Sequence, residues 1–158
     1  MADRWLTFDC YGTIADWNTG MSRALEPLAG ADARRLLAGY HQAELELEAG
    51  PGWMPYREVL TAGLARAAAR ERVALPGGGE EAFVRAWPDM PVFEDASPAL
   101  AALREQGWRL AILTNCDDDL FATTRPRLPP HSPGNRSQVV AQAAAAIGRS
   151  GWSTTSMS

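Results

Sequence analysis

Two short apolar segments, far apart in the chain, constrain the fold most, because each ends at a polar residue. Residues 4–8 (RWLTF) predict a short buried strand that Asp9 follows at once, and residues 108–114 (WRLAILT) predict a second strand. A helix is expected just before the second strand, with Ser97 as its N-cap, Pro98 in its first turn and Gly107 as its stop. A helix that leads into a strand is the alternation of α/β proteins. We therefore expect an α/β fold with a parallel sheet.

The long segment between the two predicted strands has a helical pattern instead of strand alternation. From Asp32, apolar side chains recur at helical spacing until Gly50-Pro51-Gly52 stops the run. A second helix is predicted from Pro55 to the loop at residues 76–79, and a shorter third helix over residues 80–87. This pattern predicts a helical cap over residues 16–90, inserted into an α/β core made of residues 1–15 and 91–124.

Residues 125–158 differ in composition from the rest of the chain. They contain no carboxylate, because the last acidic residue is Asp119, and their first part is rich in proline and arginine. We expect a poorly ordered tail, with at most one weak helix over residues 139–147. The predicted core is then incomplete, and an out-of-frame or truncated ending is our hypothesis for the tail.

Composition limits the classes of function. The 158 residues carry a net charge of −4, which disfavours a nucleic-acid binder, and no apolar run approaches the ~18 to 20 residues that cross a bilayer. All 15 basic residues are arginine, so no lysine is present for catalysis. Two cysteines and a start without a signal peptide predict a cytoplasmic protein.

Asp9 is the first candidate for chemistry. In open parallel sheets the ligand crevice lies beyond the carboxyl ends of the strands, so Asp9 and the pair Thr114-Asn115 could face each other across it. The residues alone leave another interpretation open, in which Asp9 caps a turn and Thr114 and Asn115 begin a loop. The triplet at residues 117–119 is predicted to start a helix, and no metal site is assigned to it.

The two strand-end motifs together resemble the haloacid dehalogenase-like hydrolases. Asp9-Cys10-Tyr11-Gly12-Thr13 is similar to the first motif of that superfamily, and Leu113-Thr114-Asn115 to its second. A helical cap inserted after the first motif is also typical of it, and residues 40–46 (YHQAELE) look like the cap helix of its L-2-haloacid dehalogenase branch. The resemblance covers residues 1–124 and implies a Rossmann-like core.

The resemblance implies a role for each matching residue. Asp9 would attack the halogen-bearing carbon of a small 2-halo carboxylic acid, while Thr13, Thr114 and Asn115 would hold the carboxylate and the substrate. The predicted substrate contacts are Cys10, Tyr11 and His41, the last in place of a halide-binding arginine. No cofactor and no metal are expected, and a homodimer is compatible with the resemblance.

Two alternatives remain open from the sequence. A magnesium-dependent phosphatase on the same fold would carry a second aspartate two places after the nucleophile, where this chain has Tyr11. A non-catalytic remnant or interaction module is favoured by the missing lysine and the missing late carboxylates, which in the resembling family complete the site. We therefore expect impaired activity from this chain.

Overall fold

The computed structural model describes residues 4–129 and 140–141. The strands are β1 (Trp5–Phe8), β2 (Arg109–Thr114) and β3 (Val140–Ala141). The helices are α1 (Trp17–Ala29), α2 (Ala33–Glu48), α3 (Tyr56–Glu71), α4 (Gly79–Arg85), α5 (Ala96–Glu105) and α6 (Asp118–Thr124). The predicted α/β class, with a parallel sheet and a helical cap, is confirmed. None of the described helices is long and apolar enough to cross a membrane.

The sheet is parallel and has the order β1-β2-β3. In the β1–β2 pair Trp5 lies opposite Arg109 and Phe8 opposite Ile112, so both strands point their carboxyl ends to the same edge. The prediction that β1 is buried was wrong. Its residues alternate between exposed and partly exposed, because within the described residues it pairs with β2 alone.

Two further sequence predictions need correction. Helix α5 begins at Ala96 rather than after a Ser97 N-cap, and Asp95 occupies the cap position. Pro98 is tolerated in the first turn of α5, because the first N–H groups of any helix lack intrahelical partners. Val140–Ala141 forms a short strand beside Leu113 and Thr114, where a weak helix was expected, because the open edge of β2 offers backbone partners. The rest of the predicted tail lies outside the described residues.

The helical region is built around the packing of α2 on α3. Tyr40 of α2 is fully buried against Gly63 of α3, where an added Cβ would come within 2.9 Å of the Tyr40 ring. Helix α1 was not predicted as a separate helix, because Gly20 and Pro27 weaken the helical signal of residues 17–29. Asp16 was the available signal, since its carboxylate accepts the Thr19 N–H at 3.0 Å as an N-cap.

The chain leaves the sheet region and returns to it at adjacent points. Ala15 and Val92 form an antiparallel bridge, and the Asp16 N–H donates to the Pro91 carbonyl at 2.7 Å. Trp87 is fully buried between the two regions, with its ring centroid 4.5 Å from that of Tyr11. The helical region is therefore packed onto the carboxyl edge of the sheet.

Candidate functional site

Asp9 follows β1 directly and lies on the surface. The turn after it depends on Gly12, whose φ of +93° is a conformation that residues with a side chain rarely adopt. This turn brings Thr13 back toward Asp9, and the Thr13 hydroxyl donates to Asp9 Oδ2 at 3.1 Å. One carboxylate oxygen is thereby held in place, while the side chain remains accessible to a ligand.

The second strand ends beside the first, with Thr114 and then Asn115. Thr114 is buried, and its hydroxyl oxygen accepts the Cys116 N–H at 3.3 Å, which fixes the turn out of β2. Asn115 is exposed, and its Nδ2 donates to Oε1 of Glu48 at the end of α2, at 3.0 Å. Because β1 and β2 are parallel neighbours, Asp9 and Asn115 leave the same edge of the sheet.

The side chains of Cys10 and Tyr11 have their contacts inside the protein. Cys10 is fully buried, and burial raises the pKa of its thiol to about 12. The Tyr11 hydroxyl donates to Thr124 Oγ1 at 3.1 Å and accepts from Trp87 Nε1 at 3.2 Å. Burial also raises the pKa of Tyr11 above its usual value. Both side chains are therefore neutral, and Tyr11 is engaged inside the protein; their predicted substrate contacts stay predictions.

His41 belongs to α2, and its side chain contacts α1. Its Nε2 is 3.0 Å from Asn18 Oδ1, its Nδ1 is 3.7 Å from Glu44 Oε2, and its ring packs on Trp17 with 4.9 Å between centroids. These contacts join helices of the cap to one another. The role of His41 toward a substrate remains a prediction.

A cavity of about 310 Å³ lies between the cap and the end of β2. Asn115 and Glu48 supply its polar groups together with Tyr56, and the other lining residues are Leu47, Gly52, Trp53, Met54 and Val59. This volume is of the size that binds small organic molecules. A smaller recess of about 20 Å³ on the sheet is mostly apolar, with Arg104 as its one charged lining residue among the described residues.

Sequence reasoning missed the loop contacts that join this edge to the cap. Asp117 precedes α6 but does not cap it; its two carboxylate oxygens accept the N–H groups of Tyr56 and Arg57, each at 2.9 Å, and so cap α3 instead. Asp119 pairs with Arg57 at 2.6 Å. The only sequence signal was a carboxylate just after a strand-end motif. Pro55, at the N-cap position of α3, has no side chain that could cap the helix, and the sequence does not indicate that Asp117 does so instead.

A divalent metal does not fit the described residues of this edge. No group of three or more histidine, cysteine, aspartate or glutamate side chains converges in the part of the chain that the structure describes. The place where a second carboxylate would help Asp9 to hold magnesium is taken by Tyr11, whose hydroxyl is bonded to Thr124 and Trp87.

The α/β fold of this chain, with a Rossmann-like sheet and a helical cap, is similar to that of solved haloacid dehalogenases. An L-2-haloacid dehalogenase of known structure superposes with a TM-score of 0.71 at 23% identity, over 80% of this chain and 59% of that one. The Xanthobacter autotrophicus L-2-haloacid dehalogenase with chloropropionic acid covalently bound gives 0.69 at 18% identity, over 80% and 52%. A putative HAD-hydrolase from Bacillus subtilis, bound to magnesium, gives 0.61 at 21% identity, over 80% and 60%.

These comparisons confirm the predicted resemblance at the level of the fold. No family model matches the sequence, and no curated protein matches it. The chain spans slightly less than 60% of the length of the first solved structures that it resembles.

Proposed function

We propose that this chain is a hydrolase that breaks the carbon–halogen bond of a small 2-halo acid or a close derivative, with Asp9 as nucleophile. The observation that carries the proposal is the accessible Asp9 carboxylate, oriented by Thr13 at 3.1 Å and placed at the same sheet edge as Asn115. The fold of solved L-2-haloacid dehalogenases supports it.

The chemistry needs no base for its first step. An Asp9 oxygen attacks the carbon that bears the halogen, a carbon–oxygen bond forms, and the bonding pair of the carbon–halogen bond leaves with the halide. Water then attacks the Asp9 carbonyl carbon, which releases the 2-hydroxy product, frees the carboxylate and liberates one proton. The Thr13 hydroxyl holds one of the two Asp9 oxygens and thereby orients the carboxylate. Because the 158 residues contain no lysine, we infer a slow second step and a long-lived ester.

Tyr11 separates this proposal from a phosphatase on the same fold. A phosphate ester needs an acid to protonate its leaving alcohol, whereas a halide leaves without a proton. Tyr11 occupies the position where that acid would be. Burial raises the pKa of Tyr11, and its hydroxyl donates a hydrogen bond to Thr124. The magnesium-bound hydrolase from Bacillus subtilis resembles this chain in its fold. The similarity does not extend to a metal ligand at this position, because Tyr11 has no carboxylate.

The test is halide release combined with detection of the ester. The full chain is incubated with 2-chloropropionate and, separately, with 2-chloropropionamide, which carries the same reacting bond. We expect chloride release and a mass increase on the peptide that contains Asp9. Asp9→Asn should abolish both, whereas Asp118→Asn, which removes an exposed carboxylate elsewhere, should change neither. Equal chloride release by wild type and Asp9→Asn, or no release and no adduct from either substrate, would favour the non-catalytic interpretation.

A further inference from the structure

The cap side of the cavity is acidic. Glu48 lines it directly, and Glu44 lies one helical turn earlier on the same helix. Glu44 is held by two tyrosine hydroxyls: that of Tyr40 donates to its Oε1 at 3.2 Å, and that of Tyr56 donates to the same oxygen. Tyr56 in turn lines the cavity, so the two carboxylates lie at its rim and just behind its wall.

Glu44 has His41 as a neighbour, with Nδ1 at 3.7 Å from its Oε2, but His41 does not line the cavity. Among the described residues that line it there is no arginine and no histidine, and Glu48 has its hydrogen bond from the neutral amide of Asn115. Glu48 retains contact with solvent, yet partial burial and the neighbouring Glu44 charge both raise the pKa of its carboxyl. Glu48 therefore lies near a second carboxylate, that of Glu44, and no arginine or histidine accompanies it among the described residues that line the cavity.

This arrangement affects what Asn115 can hold. Its amide N–H group already donates to Glu48 at 3.0 Å, so a ligand carboxylate bound at Asn115 would lie within a few ångströms of a like charge. Two like charges about 4 Å apart repel by about 1 kcal/mol even at the dielectric constant of water, and by more where water is excluded. An uncharged N–H or O–H donor at the same place would instead donate to Glu48.

We propose that Glu48 is a specificity-determining residue that selects substrates with an uncharged hydrogen-bond donor, such as a carboxamide, over substrates with a free carboxylate at the cap side of the cavity. The inference rests on the proposed function for the identity of the reacting bond. It narrows the substrate class from 2-halo acids to their neutral, donor-bearing derivatives.

Binding of unreactive ligands tests the inference without turnover. Propionamide and propionate are titrated into the full chain at pH 7.5, a pH chosen for the assay, and binding is followed by tryptophan fluorescence. Trp53 lines the cavity and is 66% exposed, so its emission is expected to respond. Wild type should bind propionamide at least about fivefold more tightly than propionate, which is the factor that corresponds to the repulsion in water.

Glu48→Gln removes the charge and keeps the shape of the side chain. We expect it to tighten propionate binding about fivefold or more and to leave propionamide nearly unchanged. Glu26→Gln, on an exposed part of α1, makes the same change in net charge and should leave the ratio of the two affinities as in wild type.

Each outcome of the titration decides the inference. Propionate binding as tight as propionamide in wild type, an unchanged ratio in Glu48→Gln, an equal shift in Glu26→Gln, or no binding of either ligand would overturn it. The proposed function fails in a different assay, by absence of chloride release and of an Asp9 adduct, so the two failures are distinguishable.

Discussion

Asp117 gives the most direct test of how the sheet edge is joined to the cap. Its carboxylate accepts the first two N–H groups of α3, from Tyr56 and Arg57, at 2.9 Å each. These groups have no partner within the helix, so Asp117 acts as the N-cap of a helix more than 45 residues earlier in the chain. We expect Asp117→Ala to destabilise the protein through loss of this cap.

The magnitude follows from the two bonds. Loss of an N-cap side chain typically costs about 0.5 to 2 kcal/mol, and hydrogen bonds to a charged acceptor are at the upper end. Water can replace the partner of the exposed Arg57 N–H more easily than that of the partly buried Tyr56 N–H. We therefore expect a loss of about 1.5 kcal/mol in the free energy of unfolding for Asp117→Ala, and about half of it for Asp117→Asn, which keeps one acceptor oxygen.

Urea unfolding followed by circular dichroism measures these differences in the free energy of unfolding. In thermal unfolding we expect the Tm of Asp117→Ala to fall by roughly 5 °C. Asp118→Ala is the matched control, because Asp118 is exposed in the first turn of α6 and should cost less than about 0.5 kcal/mol. The reasoning is refuted if Asp117→Ala costs no more than Asp118→Ala, or if Asp117→Asn costs as much as Asp117→Ala.

Two other predictions concern the packing and pH dependence of the cap. Gly63→Ala should lower the free energy of unfolding by about 1 to 3 kcal/mol in urea unfolding, because the new methyl group meets the Tyr40 ring at 2.9 Å; an unchanged midpoint would contradict this. Hydrogen bonds from Arg70 and Gln42 lower the pKa of Glu46 to about 2, so its stabilising effect is present above pH 4.5 and is lost as the pH falls toward 2. The stability difference between wild type and Glu46→Gln should shrink over that range, and a constant difference would argue against the pairing.

Much of the fold could be predicted from local sequence signals. The end of α2 at Glu48 follows from Gly50-Pro51-Gly52, and the end of α5 follows from Gly107, whose φ is +82°. The start of α5 could not be fixed in the same way. Ser97 is a good N-cap residue, but the helix begins one residue before it, since Pro98 is acceptable anywhere in a first turn.

The motif residues Asp9, Thr13 and Asn115 could be placed at one sheet edge, because parallel strands align their carboxyl ends. The direction of a side chain within such a motif could not be predicted. Tyr11 lies two residues after Asp9, yet its hydroxyl is bonded inside the protein to Thr124 and Trp87, both distant in sequence. Those partners are known only from the tertiary structure, since Trp87 belongs to the cap and Thr124 to α6 of the core.

The same limit explains why the sequence did not predict the roles of Glu48, which lines the cavity, and of Asp117, which caps the helix that carries Tyr56 of the cavity lining. Each acts on the other region of the fold: Glu48 of the cap accepts from Asn115 of the sheet edge, and Asp117 of the sheet edge caps α3 of the cap. Local patterns assign Glu48 to the end of one helix and Asp117 to the start of another, and in both cases they suggest only an effect on the residue's own helix. The lining of the cavity is therefore set by how the cap docks, so specificity in this fold can change through Glu48 while the Asp9 motif stays as it is.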